Sequence, residues 1–211
     1  MKNTIIWVLF LVVVVGVVVG IIYSAKKGNP DVKDTVYDIQ VSEEDQVKGS
    51  NNPKLTIVEY SDYQCPACAV YAPVVDEIMK NYGSTTRLVY KDFPLDQHKN
   101  GKIASYAAEA AGLQGKYWEM HDELFKTQAD WSESETALKT FSEYAANLGL
   151  DTKKFAVDVS SDAVKQRVER DITSGKEYRV SYTPTFFLNG KRIENPAGYE
   201  AFKTLIDATA K

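Results

Sequence analysis

Cysteine is nearly absent from this chain: Cys65 and Cys68 are the only two in 211 residues. A chain of this length can bury a full core without covalent staples, so the pair need not be structural. Histidine is as scarce, with His98 and His121 alone and no paired His motif. A zinc site needs about four ligands at characteristic spacings, so no metal is expected. Basic charge is not in excess either, at 25 Lys plus Arg against 29 Asp plus Glu. Beyond the first 25 residues, whose only charged side chain is Lys2, the balance is 24 against 29. That argues against nucleic acid as a partner, because such a face needs a basic patch or stripe. No repeat and no low-complexity tract is visible beyond the Val-rich start.

Long apolar runs are missing too, with one exception. Thr4 to Tyr23 is apolar almost throughout, interrupted by Gly16 and Gly20. About 20 such residues, when helical, match the hydrocarbon thickness of a bilayer. A cleaved signal peptide is the rival reading, but the run exceeds the usual ~7–15-residue core, and no small-x-small cleavage site follows. Residues 1–25 are therefore expected to be an uncleaved single-pass signal-anchor helix, with residues 4–23 in the lipid bilayer. Ser24 to Thr35 contains Gly28-Asn29-Pro30 and few apolar residues, so 26–36 reads as a linker to a domain over 37–211. Lys2 with the α-amine at one end and Lys26 with Lys27 at the other leave the charge rule for orientation nearly balanced. Placement of the domain outside the cell membrane follows instead from the chemistry expected of it.

That chemistry centres on Val58-Glu59-Tyr60-Ser61-Asp62-Tyr63-Gln64-Cys65-Pro66-Ala67-Cys68. The apolar run Leu55–Val58 reads as a strand, and a helical pattern follows Cys68, so the sulfurs sit where a strand ends and a helix begins. A thiol there faces unpaired backbone N–H groups and the positive end of the helix dipole, both of which favour the thiolate. Pro66 suits the first helical turn, where its missing N–H would have had no partner. Cys65 is then the outer, attacking sulfur, and Cys68, one turn inside, the resolving one.

Around this motif the chain reads as strand, helix and strand, then helices, then a hairpin and a last helix. Tyr37–Val41 alternates like an edge strand, and Lys48–Pro53 reads as a loop. Val70, Val74, Val75 and Ile78 recur at helical spacing, with Pro73 inside the helix and Gly83 as its stop. Arg87–Phe93 is a second core strand, and the βαβ unit makes it parallel to the first. From about 99 to 179 only helical patterns occur, which predicts an all-helical insertion in an α/β sheet. Asn189-Gly190 between Thr185–Leu188 and Lys191–Ile193 is a strong hairpin signal.

This order, with Cys65-Pro66-Ala67-Cys68, Phe93-Pro94-Leu95, Gly115–His121 and Thr183-Pro184-Thr185-Phe186-Phe187, resembles the DsbA-like branch of the thioredoxin superfamily, in particular its membrane-anchored thiol:disulfide oxidoreductases. The resemblance implies an α/β thioredoxin fold: a mixed central sheet flanked by helices, with an inserted all-helical subdomain and an N-terminal transmembrane helix before it. It implies that Pro184 is a cis-proline packed against the two cysteines, leaving the Thr183 backbone free to bind an extended substrate beside Pro66 and Ala67. It also makes Glu59 the buried acid that moves a proton to or from Cys68. Two departures stand out: Arg179-Val180-Ser181-Tyr182 replaces the usual glycine-bearing turn before the proline, and the Pro-Ala dipeptide lacks the histidine of the strongest oxidants.

The expected function is disulfide introduction into unfolded or reduced exported proteins, with a quinone-linked membrane thiol oxidase as redox partner. No cofactor is expected beyond the redox-active disulfide Cys65–Cys68. The alternatives are a reductase or isomerase fed with electrons across the membrane, and a non-catalytic peptide-binding module. Bland readings stand beside the sharper ones: Glu59 on an exposed strand face, His121 as a packing residue, His98 solvated in a loop, Ser42–Asp45 a solvated turn, and Trp131 and Tyr144 as core.

Overall fold

The sheet is built outward from β2 (Leu55–Ser61), whose alternate side chains are buried on both faces. A computed structural model describes residues 35–209. The expected membrane anchor, and all but the end of the linker after it, lie outside the described residues. Among those described, no helix is long and apolar enough to cross a membrane.

Five strands lie in the order β1-β3-β2-β4-β5, with β1 at Gln46–Gly49, β3 at Thr86–Asp92, β4 at Thr185–Leu188 and β5 at Lys191–Arg192. β2 and β3 are parallel in a seven-residue register from Leu55↔Thr86 to Ser61↔Asp92, and the other pairings are antiparallel, so the sheet is mixed. Asn189 (φ 46°) and Gly190 (φ 79°) make the tight hairpin between β4 and β5. A Cβ on Gly190 would lie 2.1 Å from the Tyr37 carbonyl oxygen, so this turn needs glycine for space as well as for conformation.

Period-two alternation sends Ile57, Leu88, Phe186 and Leu188 to one face, against α1 (Pro66–Tyr82) and α8 (Tyr199–Thr209) through Val75, Ile78, Phe202 and Ile206. Val58, Tyr60, Val89 and Phe187 face the other way. There α7 (Asp162–Glu177) comes so close that a Cβ on Gly175 would meet the Phe93 ring at 2.6 Å.

Between β3 and β4 the chain forms only helices: α2 (Gly101–Gly112), α3 (Tyr117–Lys126), the short α4 (Gln128–Trp131), α5 (Ala137–Asn147), α6 (Thr152–Asp158) and α7. They close over Trp131, Phe141, Phe155 and an alanine-rich α2, in a cluster that also takes in Tyr63, Cys65 and Cys68. Trp131 is fully buried and Tyr144 packs against the cluster.

The edge strand differs from the sequence reading. Tyr37–Val41 is not a strand; a single bridge from Val36 to Lys191 precedes it, and the edge position belongs to Gln46–Gly49. Tyr37, Ile39 and Val41 do pack on the sheet, so their alternation reports one buried side, not a ladder. Ser42–Asp45 is a turn with Ser42, Glu43 and Glu44 exposed, as expected, but its last carboxylate is turned inward: Asp45 pairs at 2.5 Å with buried Lys91.

Candidate active site

The turn Asp62–Cys65 joins β2 to α1 and is closed by the Cys65 N–H donating to the Asp62 carbonyl at 3.0 Å. Cys65 is the N-cap of α1, extended at φ −71° and ψ 121°, and Pro66 stands in the first helical turn. An extended N-cap leaves its sulfur beside the free N–H groups of the first turn. On the other side Cys65 Sγ lies 3.4 Å from the Thr183 carbonyl oxygen, and the Thr183–Pro184 peptide bond is cis. β4 begins at Thr185, so Thr183 itself stands outside the ladder. Pro66 and Ala67 are exposed, whereas Thr183 and Pro184 are buried.

Both cysteines are free thiols, and the fold treats them oppositely. The Cys65 pKa is lowered to about 5, above all by a hydrogen bond from the Cys68 thiol, with help from Thr183 and from the backbone N–H groups of Ala67 and Cys68, and in spite of burial. The Thr183 carbonyl contact belongs to the thiol form, because a thiolate has no proton to donate. The Thr183 hydroxyl, which has no other hydrogen-bond partner, favours the thiolate. Burial pushes the Cys68 thiol far up, and the neighbouring Cys65 adds to the effect. The fold thus favours an anion on Cys65, at the α1 N-terminus, and a neutral thiol on Cys68, which is wholly buried.

Glu59 is 3 % exposed, which rules out the exposed-face alternative. It shares the α1-facing side of β2 with Ile57, opposite Tyr90 on β3 and Phe186 on β4. Burial raises its pKa to about 7, opposed by the Ser61 hydroxyl. With Ala72, Val75, Trp118 and His121 it lines a cavity of about 20 Å³, room for one water molecule. Ser61, two residues on and on the same face, carries no sequence signal that singles it out. Its buried hydroxyl makes no hydrogen bond of ordinary geometry, yet it lies against both Glu59 and Cys68 and lowers the pKa of each.

The histidines divide. His121 is ringed by Tyr90, Trp118 and Phe125, its Nδ1 lies 3.1 Å from the Tyr63 hydroxyl, and burial holds its pKa down to about 3, so it is a neutral packing residue. His98 is not simply solvated. Its Nδ1 lies 2.6 Å from the buried Asp62 carboxylate, which also accepts the Gln64 and Leu95 N–H groups at 2.8 Å. The loop polarity hides this, because the partner is 36 residues away. Among the described residues no group of three or more His, Cys, Asp or Glu is placed to hold a metal ion.

Residues 41–208 match the family described as Thioredoxin. The chain belongs to that family. Its fold is similar to that of oxidised BdbD from Bacillus subtilis, at a TM-score of 0.73 and 22 % identity over 84 % of this chain and 99 % of that one. Wolbachia pipientis alpha-DsbA1 gives a TM-score of 0.73 at 18 % identity, covering 82 % of this chain and 94 % of that one. A thioredoxin-like oxidoreductase from Silicibacter pomeroyi gives 0.68 at 24 % identity, over 79 % and 92 % of the two chains. At these identities the likeness is one of fold.

In sequence, a protein named Na(+)/H(+) antiporter NhaA 1 from Mycolicibacterium gilvum is 38 % identical over 159 residues, 73 % of this chain and 25 % of the antiporter. A protein named Na(+)/H(+) antiporter NhaA from Herminiimonas arsenicoxydans is 35 % identical over 167 residues, 79 % of this chain and 26 % of that protein. The chain thus spans about a quarter of the length of these curated relatives.

Proposed function

We propose that the protein is a thiol:disulfide oxidoreductase that introduces disulfides into exported proteins by exchange at Cys65-Pro66-Ala67-Cys68. The observation that carries this reading is the placement of the two sulfurs: Cys65 caps the N-terminus of α1 beside the cis Thr183–Pro184 bond, and Cys68 is wholly buried one turn on. In the oxidised enzyme a substrate thiolate attacks Cys65 Sγ. The intramolecular S–S bond breaks, a substrate–Cys65 disulfide forms, and Cys68 Sγ leaves with the electron pair and takes up a proton, a transfer assigned to Glu59, which shares its face of β2 with the Ser61 that lies against Cys68. A second substrate thiolate attacks the substrate sulfur of that disulfide and releases Cys65 as a thiolate. The client has then lost two electrons and gained a disulfide, and the two electrons reside on the reduced pair.

Return to the disulfide is assigned to a quinone-linked membrane thiol oxidase, and residues 1–25 to a single-pass anchor with the domain on the extracytoplasmic side. Exposed Val70, one turn past Pro66, and exposed Tyr182, next to Thr183, are apolar side chains offered to an unfolded client.

A thiol with a pKa of about 5 in place of 9.0 stabilises the reduced form at pH 7 by about two pKa units, or roughly 60 mV for a two-electron couple. That is less than half of the ~150 mV between thioredoxin and DsbA, so the direction of flow is settled by measurement. Oxidation of reduced ribonuclease and equilibration with glutathione form the test. The oxidase reading expects Cys65→Ser to abolish exchange and the potential to lie well above thioredoxin's. A potential near about −270 mV assigns the protein to reduction, and a wild type that performs no exchange in either direction assigns it to peptide binding.

A further inference from the structure

The turn that presents Cys65 is gripped from the inserted helices by one side chain that the exchange chemistry does not use. Gln128, at the start of α4, donates from Nε2 to the Tyr63 carbonyl at 2.6 Å and to the Cys65 carbonyl at 3.0 Å. The same Cys65 oxygen accepts the first helical hydrogen bond of α1, from the Ala69 N–H at 3.2 Å. Pro66 contributes no N–H, so the peptide unit between Cys65 and Pro66 offers its carbonyl as its only polar handle. Cys65 has no side-chain cap bond to fix it in its extended conformation. The amide of Gln128 therefore fixes both carbonyls that bracket Gln64 and Cys65, and with them the direction in which the Cys65 side chain leaves the turn.

Gln128 is itself well anchored. The Ser132 hydroxyl donates to its carbonyl, and Trp131, three residues on, is fully buried with its indole N–H on the Leu124 carbonyl at 3.0 Å. Next to it the Gln64 side chain accepts the Asn100 N–H at 2.6 Å and donates to the Ser132 carbonyl at 2.8 Å. Asn100 in turn ties together the Trp131, Ser132 and Ser134 carbonyls.

We propose that Gln128 is a positioning residue for Cys65, through which the helical insertion holds the sulfur at the α1 N-terminus and tunes the reduction potential of the pair. The proposal rests on the exchange reading above. The field of a helix terminus fades within its first turn, so a small displacement of an N-cap sulfur changes how far its anion is favoured. The amide also brings the positive end of its dipole to the oxygen of the reactive residue itself.

The test titrates the ultraviolet thiolate absorbance of the reduced full chain in wild type, Gln128→Met, Gln128→Ala and Asn100→Ala, with the glutathione equilibrium of each. Met keeps the length of the side chain without its donor, and Ala serves if Met packs badly. Both Gln128 variants are expected to raise the Cys65 midpoint by about 0.5–1 unit, a three- to tenfold loss of acidity, and to move the potential towards the reducing side. Asn100→Ala cuts three bonds in the same network but none to Tyr63 or Cys65, and is expected to lower the melting temperature and leave the midpoint in place. Folded Gln128 variants that titrate like wild type would overturn the proposal, as would an Asn100→Ala shift of the same size. A wild-type thiol no more acidic than free cysteine would overturn the exchange reading and this one with it.

Discussion

Glu59 shows what a single buried acid does to this molecule. Its folded pKa of about 7 lies above the ordinary value of 4.5, so the unfolded chain loses that proton first as pH rises. Stability linked to this group is full below about pH 4.5 and falls as pH climbs to 7, with a cost above that of up to roughly 3 kcal/mol. Glu59→Gln removes the titration and keeps the size. In urea unfolding of the oxidised protein, where neither thiol titrates, the variant is expected to gain about 2–3 kcal/mol over wild type on going from pH 5 to pH 8. An offset that is the same at both pH values would show that Glu59 is not titrating from a buried site. At this scale the place of Cys65 and Cys68 where a strand gives way to a helix is legible in their spacing, whereas the burial of Glu59 follows only from the family resemblance. Ser61, His98 and Gln128 are opaque in the sequence, because each acts through a partner that folding brings close: Gln128 reaches Tyr63 and Cys65 across 65 and 63 residues of chain.

Among the elements, those with strong local signals are visible in one dimension. β2 and β3 are apolar runs, α1 has Pro66 at its start, and Asn189-Gly190 makes its hairpin. β1 is not legible, because Gln46-Val47-Lys48-Gly49 has weak strand preference and takes its form from pairing with β3. α4 is four residues long, too short for a periodic pattern. α7 is legible in Val164, Val168 and Ile172, but the reason for Gly175 emerges only from packing, since the helix crosses the Phe93 and Tyr60 rings at this point. Ala at that position adds a methyl group where the Phe93 ring already stands. Gly175→Ala is therefore expected to cost about 1–3 kcal/mol, outweighing the helix-propensity gain of ~1 kcal/mol, and to leave exchange activity intact. An unchanged or raised urea midpoint would mean that α7 and the sheet have slack that the structure does not show.

Over the whole molecule, three separate stretches converge on one sulfur. The β2–α1 turn supplies the N-terminal field, the segment before β4 supplies Thr183 and Pro184, and the insertion supplies the grip on the turn. The α/β order and the helical block after β3 can be anticipated from the pattern of strands and helices. How the block meets the turn cannot, because contacts between distant segments leave no periodicity behind. Cys65 as an anion at neutral pH is the claim that everything else depends on, and alkylation of the reduced protein by iodoacetamide across pH, read peptide by peptide, tests it most directly. The rate at Cys65 should reach half its plateau near pH 5 while Cys68 stays unlabelled. A half-rise near about pH 8.5 to 9, or equal labelling of both cysteines, would contradict it.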